Sequence, residues 1–443
     1  MPPKTVSKAT KRCEHTSLTY SSTNHAAEIG FKRKTLPERL AAATPRGTLK
    51  SVPETAIESV GAFPAPLVLP DDDIALDPKC PPQSLRSWIQ LKERNKVTPE
   101  RKTIYLALPP GYDSDVEFVK QWSQPRLKSK GPEIEHPKAQ DVLEYLQAFY
   151  HGLPVKLFPR ENLRFTSEIG DLDDILKSDE DRQVIGLHFK KGYGNKGIRT
   201  RPRPKGDYNH QLNLDDLLVA AIWALPEDAY ALVMLVDHDL YEDEEDEFVC
   251  GRAYGGSRVA VITTARYNPA LDTKQEVERE HAWPASHCTS HLNVLVDGKG
   301  VANVRKRKIS ISDPDDTEET PLQAAVSAHN FLPSLNSSPS PSSLSGLWLG
   351  RVCRTASHEL GHCFGMGHCA YYACSMQGSA SIIEDARQPP YLCPVDLAKM
   401  VTATGADVRE RYEKILGFCE RKRDVHLFAA FGAWVRGRLG ELE

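Results

Sequence analysis

His358-Glu359-Leu360-Gly361-His362-Cys363-Phe364-Gly365-Met366-Gly367-His368 carries the pattern H-E-x-x-H-x-x-G-x-x-H. Residues four apart share one face of a helix, so His358 and His362 can grip one metal ion. Glu359 projects beside them, where a carboxylate can take a proton from water activated by that metal. Gly365 can adopt backbone angles closed to other residues, so it can end the helix and turn the chain back. Such a turn brings His368 round as a third nitrogen ligand. Three protein ligands on zinc leave the fourth position for water, the catalytic arrangement rather than the closed structural one. H-E-x-x-H alone arises by chance in unrelated helices. The glycine and third histidine at fixed spacing argue against a merely amphipathic helix with exposed histidines.

Directly behind His368 stand Cys369, Cys374, Met376 and Cys393, the last followed by Pro394-Val395-Asp396. Three thiolates that close together can hold a second, structural zinc. The fourth ligand would sit three residues past Cys393, and that position is Asp396. A carboxylate can ligate zinc. The alternative is that Asp396 caps a helix starting at Leu397, and water or another thiol such as Cys363 completes the shell.

A chain of 443 residues can bury a large core in one to three domains. The net charge of −4 excludes a global polycation, so no nucleic-acid partner is expected. No apolar run approaches a membrane span, so no membrane partner is expected either. Met1-Pro2-Pro3-Lys4 opens a segment without the apolar core of a signal peptide. The expected location is intracellular, cytoplasmic with the nucleus as an alternative, and ten cysteines are then thiols or metal ligands rather than disulfides.

Residues 1–80 are rich in Lys, Ser, Thr, Ala and Pro and poor in aromatics, which predicts a disordered tail. Lys32-Arg33-Lys34 and Asp71-Asp72-Asp73 are expected to be solvated. Apolar patterning predicts strands at 103–108, 153–157, 184–189 and 231–236, and a strand pair at 248–253 and 258–263. Helices are predicted at 84–89, 138–150, 214–225 (capped by Asn213) and 346–364, with Ser345 as cap. Lys190 to Lys205 carries seven basic residues and is expected as a solvated loop, as is the acidic run ending at Glu247. Residues 268–345 predict a partly disordered insertion. It contains His281, His287, Cys288 and His291, without paired metal-ligand spacing, and Arg305-Lys306-Arg307-Lys308, which has the composition of a nuclear signal or a surface loop.

Taken together, the histidine motif, C-x4-C-x-M and the distal Cys-Pro resemble the archaemetzincins, a branch of the metzincin zinc metallopeptidases. Asp239-Leu240-Tyr241, Phe248 to Ala253 and Ala265-Arg266-Tyr267 resemble that family as well. The resemblance covers roughly residues 84–267 and 346–418. It implies an α/β, metzincin-like zincin fold. That fold has a twisted mixed, mostly parallel sheet, a backing helix at 214–225, the active-site helix and a C-terminal helical subdomain. Residues 81–443 would form this domain, interrupted by the insertion at about 268–345. By position, the resemblance makes His358, His362 and His368 the catalytic zinc ligands, Glu359 the general base and Met376 the Met-turn residue. Cys369, Cys374 and Cys393 become ligands of a second zinc. The family pattern ends in C-x-x-C, so Asp396 is a departure.

The implied function is zinc-dependent hydrolysis of a peptide or protein substrate, with aminopeptidase-like activity known in some relatives. The rival is a catalytically weak or inactive, zinc-stabilised peptide- or protein-binding module. The intact Glu359 speaks against the rival, because a binder needs no base. The missing fourth cysteine speaks for it.

Overall fold

The computed structural model describes residues 13, 15–52, 61–127, 131, 133–169, 183–189, 194–298 and 319–442. Strand Ala229–Val236 is buried along its whole length, and its two faces feed two cores. Ala231, Val233 and Leu235 meet Ile104, Leu106, Ala260 and Ile262 in the larger one. Leu232, Met234 and Val236 meet Ala107, Val259 and Val261 in the smaller. Alternation between two apolar faces is what a central strand of a parallel sheet requires.

That sheet has five strands, in the order Gly251–Tyr254, Val259–Thr263, Ala229–Val236, Thr103–Ala107 and Val155–Leu157. Neighbours are parallel except the first pair, which is antiparallel. Gly251–Tyr254 therefore lies on an edge. A second, mixed sheet runs Gly111–Tyr112, Leu163–Thr166, Gln183–Phe189, Asn195–Pro202, His210–Asn213 and Asp239–Tyr241. Its Phe165, Leu187 and Ile198 share the smaller core with the backing helix Leu214–Ala224. Asn213 caps this helix by accepting from the Asp216 N–H at 3.1 Å.

Helix Pro341–Cys363 carries the histidine motif. Trp348, Val352, Ala356 and Leu360 pack it into the larger core, a spacing of three or four residues. The helix begins one turn earlier than expected. Ser340 is the cap, accepting from the Ser343 N–H, while Ser345 bonds the Pro341 carbonyl from inside the helix. Proline at the first helical position turns a Ser/Pro segment into a helix start. Helices Pro394–Thr404, Val408–Arg421 and His426–Gly440 supply the expected C-terminal helices and share the larger core.

Three expectations need correction. The described part of residues 15–80 does not stand apart as a tail. Leu36–Ala42 forms a helix, Ala62 and Phe63 join the larger core, and Leu67, Val68 and Leu69 are buried. Arg33 lies over the Tyr372 ring at 5.2 Å instead of in solvent. A few apolar anchors suffice to hold a segment whose average composition is polar. Residues 268–298 and 319–345 are likewise built in. Asp272 bonds both Arg351 and Arg279, Trp283 is buried, and helix Pro321–Phe331 packs on His426–Gly440. Arg305-Lys306-Arg307-Lys308 lies outside the described residues. Finally, 195–202 is a strand, because Arg199 pairs with Asp216 at 2.8 Å and Arg201 donates to the carbonyls of Glu244 and Asp246. That satisfies cations a sheet would otherwise exclude, and it engages the acidic run expected to be free.

Candidate metal centres

The motif helix ends in a paired-bond cap. The Gly365 N–H reaches the His362 carbonyl at 2.9 Å and the Met366 N–H reaches the Gly361 carbonyl at 3.2 Å. Gly365 has φ +76°, a conformation side chains disfavour. Gln83 clamps the turn, donating to the Gly365 carbonyl and accepting from the Gly367 N–H, each at 3.0 Å. The turned chain returns His368 to the helix, with ring centroids 5.5 Å from His358 and 5.1 Å from His362. The Nε2 atoms of His358 and His362 are 3.0 Å apart.

Each Nδ1 is engaged from behind. His358 Nδ1 donates to the Ser375 carbonyl at 2.7 Å and His362 Nδ1 to the Met366 carbonyl at 2.8 Å. His368 Nδ1 faces the Asp73 carboxylate at 3.6 Å. Outer partners of this kind set the tautomer and leave Nε2 as the ligand atom. Burial and the neighbouring imidazoles lower the pKa of His358 well below its ordinary value and that of His362 to about 4. Both are therefore neutral, the form that binds metal. One ligand atom from each of the three histidines falls in a group within 4.8 Å. The donor set, its spacing and its outer partners fit zinc.

Glu359 is buried beside the histidines, and burial pushes its carboxyl up to about 7. Met376 is fully buried beneath the helix, where a Cβ on Gly361 would collide with its sulfur. The turn that carries Met376 also supplies the Ser375 carbonyl to His358. A cleft of about 1040 Å³ opens over the histidines and Glu359. Edge strand Gly251–Tyr254 and residues 379–383 border it.

The second group is closed. Cys369, Cys374, Cys393 and Asp396 bring three sulfurs and one carboxylate oxygen within 4.8 Å of one another, all buried. Asp396 Oδ2 is 3.4 Å from Cys374 Sγ and 3.3 Å from Cys393 Sγ. Helix Pro394–Thr404 is capped at Cys393, so Asp396 lies inside it and does not act as the cap. Its other oxygen, Oδ1, receives Lys399 Nζ at 2.7 Å, and both side chains are buried. Burial pushes the Asp396 carboxyl up to about 6. Cys363 is outside the group, and its carbonyl receives the Tyr230 hydroxyl. Three sulfurs and one oxygen form a four-donor set that fits a structural zinc.

Asp73 and Gln83 carry no signal in the sequence. Asp73 and Gln83 reach the site from almost 300 residues away. Asp71-Asp72-Asp73, expected as a solvated turn, instead sends Asp72 to Arg387 at 2.6 Å and Asp73 to His368. Lys399 follows Asp396 by three residues, the one hint that was local.

Residues 334–401 match the family model described as Peptidase family M54. The chain is 27% identical over 296 residues to archaemetzincin-2 of Pongo abelii, covering 63% of this chain and 69% of the relative. It is 37% identical over 245 residues to archaemetzincin-1 of Mus musculus, covering 55% and 41%. The crystal structure of archaemetzincin from Methanopyrus kandleri is similar with a TM-score of 0.29 and 16% identity, over 68% of this chain and 96% of that one. The chain is thus similar to the archaemetzincins, and its residues 334–401 match peptidase family M54, which supports a zinc metallopeptidase.

Proposed function

We propose that this chain hydrolyses peptide bonds with His358, His362 and His368 holding a catalytic zinc and Glu359 acting as general base. The observation that carries this is the convergence of three imidazoles beside a buried carboxylate, at the floor of a cleft bordered by a sheet edge. Zinc in that position supplies Lewis acidity to the scissile carbonyl and acidifies the attacking water. Glu359 takes the proton from that water and returns it to the leaving amine nitrogen. Its burial favours both jobs, because a carboxyl raised towards neutrality holds a proton long enough to pass it on. Strand Gly251–Tyr254 offers its unpaired edge to an extended peptide, which would add as a further strand through main-chain hydrogen bonds. Met376 supports the motif helix from below.

Cys369, Cys374, Cys393 and Asp396 hold a second, structural zinc in this reading. The preferred activity is aminopeptidase-like. The chain acts inside the cell, consistent with ten cysteines that are all free. Among the described residues no helix is long and apolar enough to cross a membrane.

A peptide library with free and blocked N-termini, incubated with the zinc-loaded chain, tests the activity. Cleavage that needs a free N-terminus and disappears in Glu359→Gln supports it. Retained cleavage in Glu359→Gln overturns the assignment of the base. Peptide capture without cleavage by the unaltered chain selects the binding-module reading, which the replacement of a fourth thiolate by Asp396 favours.

A further inference from the structure

Part of the insertion and the described start of the chain meet in a third cluster of metal-binding side chains. The Thr19 N–H donates to the His287 carbonyl and the Thr289 N–H to the Ser17 carbonyl, each at 2.9 Å, and Leu18 forms an antiparallel bridge with Cys288. This short pairing sets Cys13 and His15 against Glu278, Glu280, His281 and His291. Cys13, His15 and His281 each bring a ligand atom into one group within 4.8 Å.

His281 has the arrangement of a metal-binding imidazole. Its Nδ1 faces the Glu278 carboxylate at 3.2 Å. Its Nε2 is buried and has no hydrogen-bond partner. A histidine that gives one nitrogen to a carboxylate and leaves the other bare and buried is the pattern seen behind zinc ligands. His15 crosses its ring edge-on, with centroids 5.3 Å apart. His15 is itself held at φ +52°, a conformation that costs a non-glycine residue energy and marks a constrained site. Cys13 Sγ lies 3.5 Å from Cys288 Sγ, which places a second sulfur next to the group.

We propose that Cys13, His15 and His281 bind a zinc ion, with Cys288 adjacent as the fourth donor and Glu278 orienting His281. His287 is not part of this site, because its Nε2 faces the Ala65 carbonyl at 3.1 Å. Two sulfurs and two imidazole nitrogens are donor types of a structural zinc site. The site clips Cys13 and His15 to the insertion and does not depend on the peptidase reading.

Zinc content of the full chain, loaded and purified under reductant, tests the proposal against the variant Cys13→Ser/His281→Gln. The expected result is one zinc fewer per chain, with unchanged peptide turnover. Glu278→Gln should keep that zinc at saturation but yield it to a competing chelator at roughly 10–100-fold lower concentration. Cys13→Ser alone, at a partly exposed position, repeats the test where the double variant folds poorly. Equal zinc in the unaltered chain and in Cys13→Ser overturns the proposal, because the comparison reads a difference and not the total held elsewhere.

Discussion

His368 and Cys369 are neighbours in the chain, yet they serve clusters in opposite environments. The His368 side chain is 48% exposed, while Cys369, Cys374, Cys393 and Asp396 are at most 4% exposed. Successive side chains of an extended segment point to opposite sides, so one peptide unit can divide a wet site from a dry one. The imidazole cluster opens on a cleft and keeps room for water and substrate. The thiol–carboxylate cluster has no opening and satisfies its charges internally, through Lys399. A metal held in the first can do chemistry, and a metal held in the second can only hold the chain. The shared segment also makes the two interdependent, because the Met376 carbonyl receives the Cys369 N–H at 2.7 Å while Met376 supports the motif helix.

The comparison breaks most visibly at Glu359. Glu359→Gln is expected to reduce kcat/KM for peptide hydrolysis by about 10²–10⁴-fold, with zinc content unchanged. Steady-state kinetics beside metal analysis check this, and a loss of zinc would show that the carboxylate positions the metal instead of serving as base. At the closed cluster, Asp396→Ala removes a donor and strands the buried Lys399 ammonium. The expected cost is about 3–5 kcal/mol of stability, read by denaturant unfolding. A small cost there would mean that Asp396 neither ligates nor neutralises.

A smaller effect should separate the outer partners. Asp73→Asn is expected to weaken zinc binding at the imidazole cluster by roughly 10–100-fold in a chelator competition, and to leave the thiol cluster loaded. If both clusters lose metal together, they are one cooperative unit. The mildest test is Ser340→Ala, which removes the cap of the motif helix. It should cost about 0.5–2 kcal/mol in unfolding without changing zinc affinity, because the cap lies more than four turns from His358.

Much of the imidazole site was legible because its geometry is local. Four-residue spacing on a helix and a glycine in a left-handed turn decide where His358, His362 and His368 point. The closed cluster was half legible. Cys369, Cys374 and Cys393 declared themselves, but the choice between ligand and cap for Asp396 needed the start of the helix, which falls at Cys393. Composition misled at both 15–80 and 268–345, where averages over many polar residues hid anchors such as Phe63, Trp283 and Leu322. Arg199 and Arg201 misled similarly, since a basic run looks solvated until its carboxylate and carbonyl partners are seen.

The amino-acid sequence by itself determined the metal-ligand pattern, the resemblance to the archaemetzincins and the alternation that builds the central sheet. Each follows from interactions among residues a few positions apart, where covalent geometry sets distance and direction. Only the tertiary structure decided which groups stand behind those ligands. Asp73 meets His368, Gln83 clamps Gly365, and Cys13 reaches His281, because packing of apolar surface carries distant segments together, and no local spacing records where they will land.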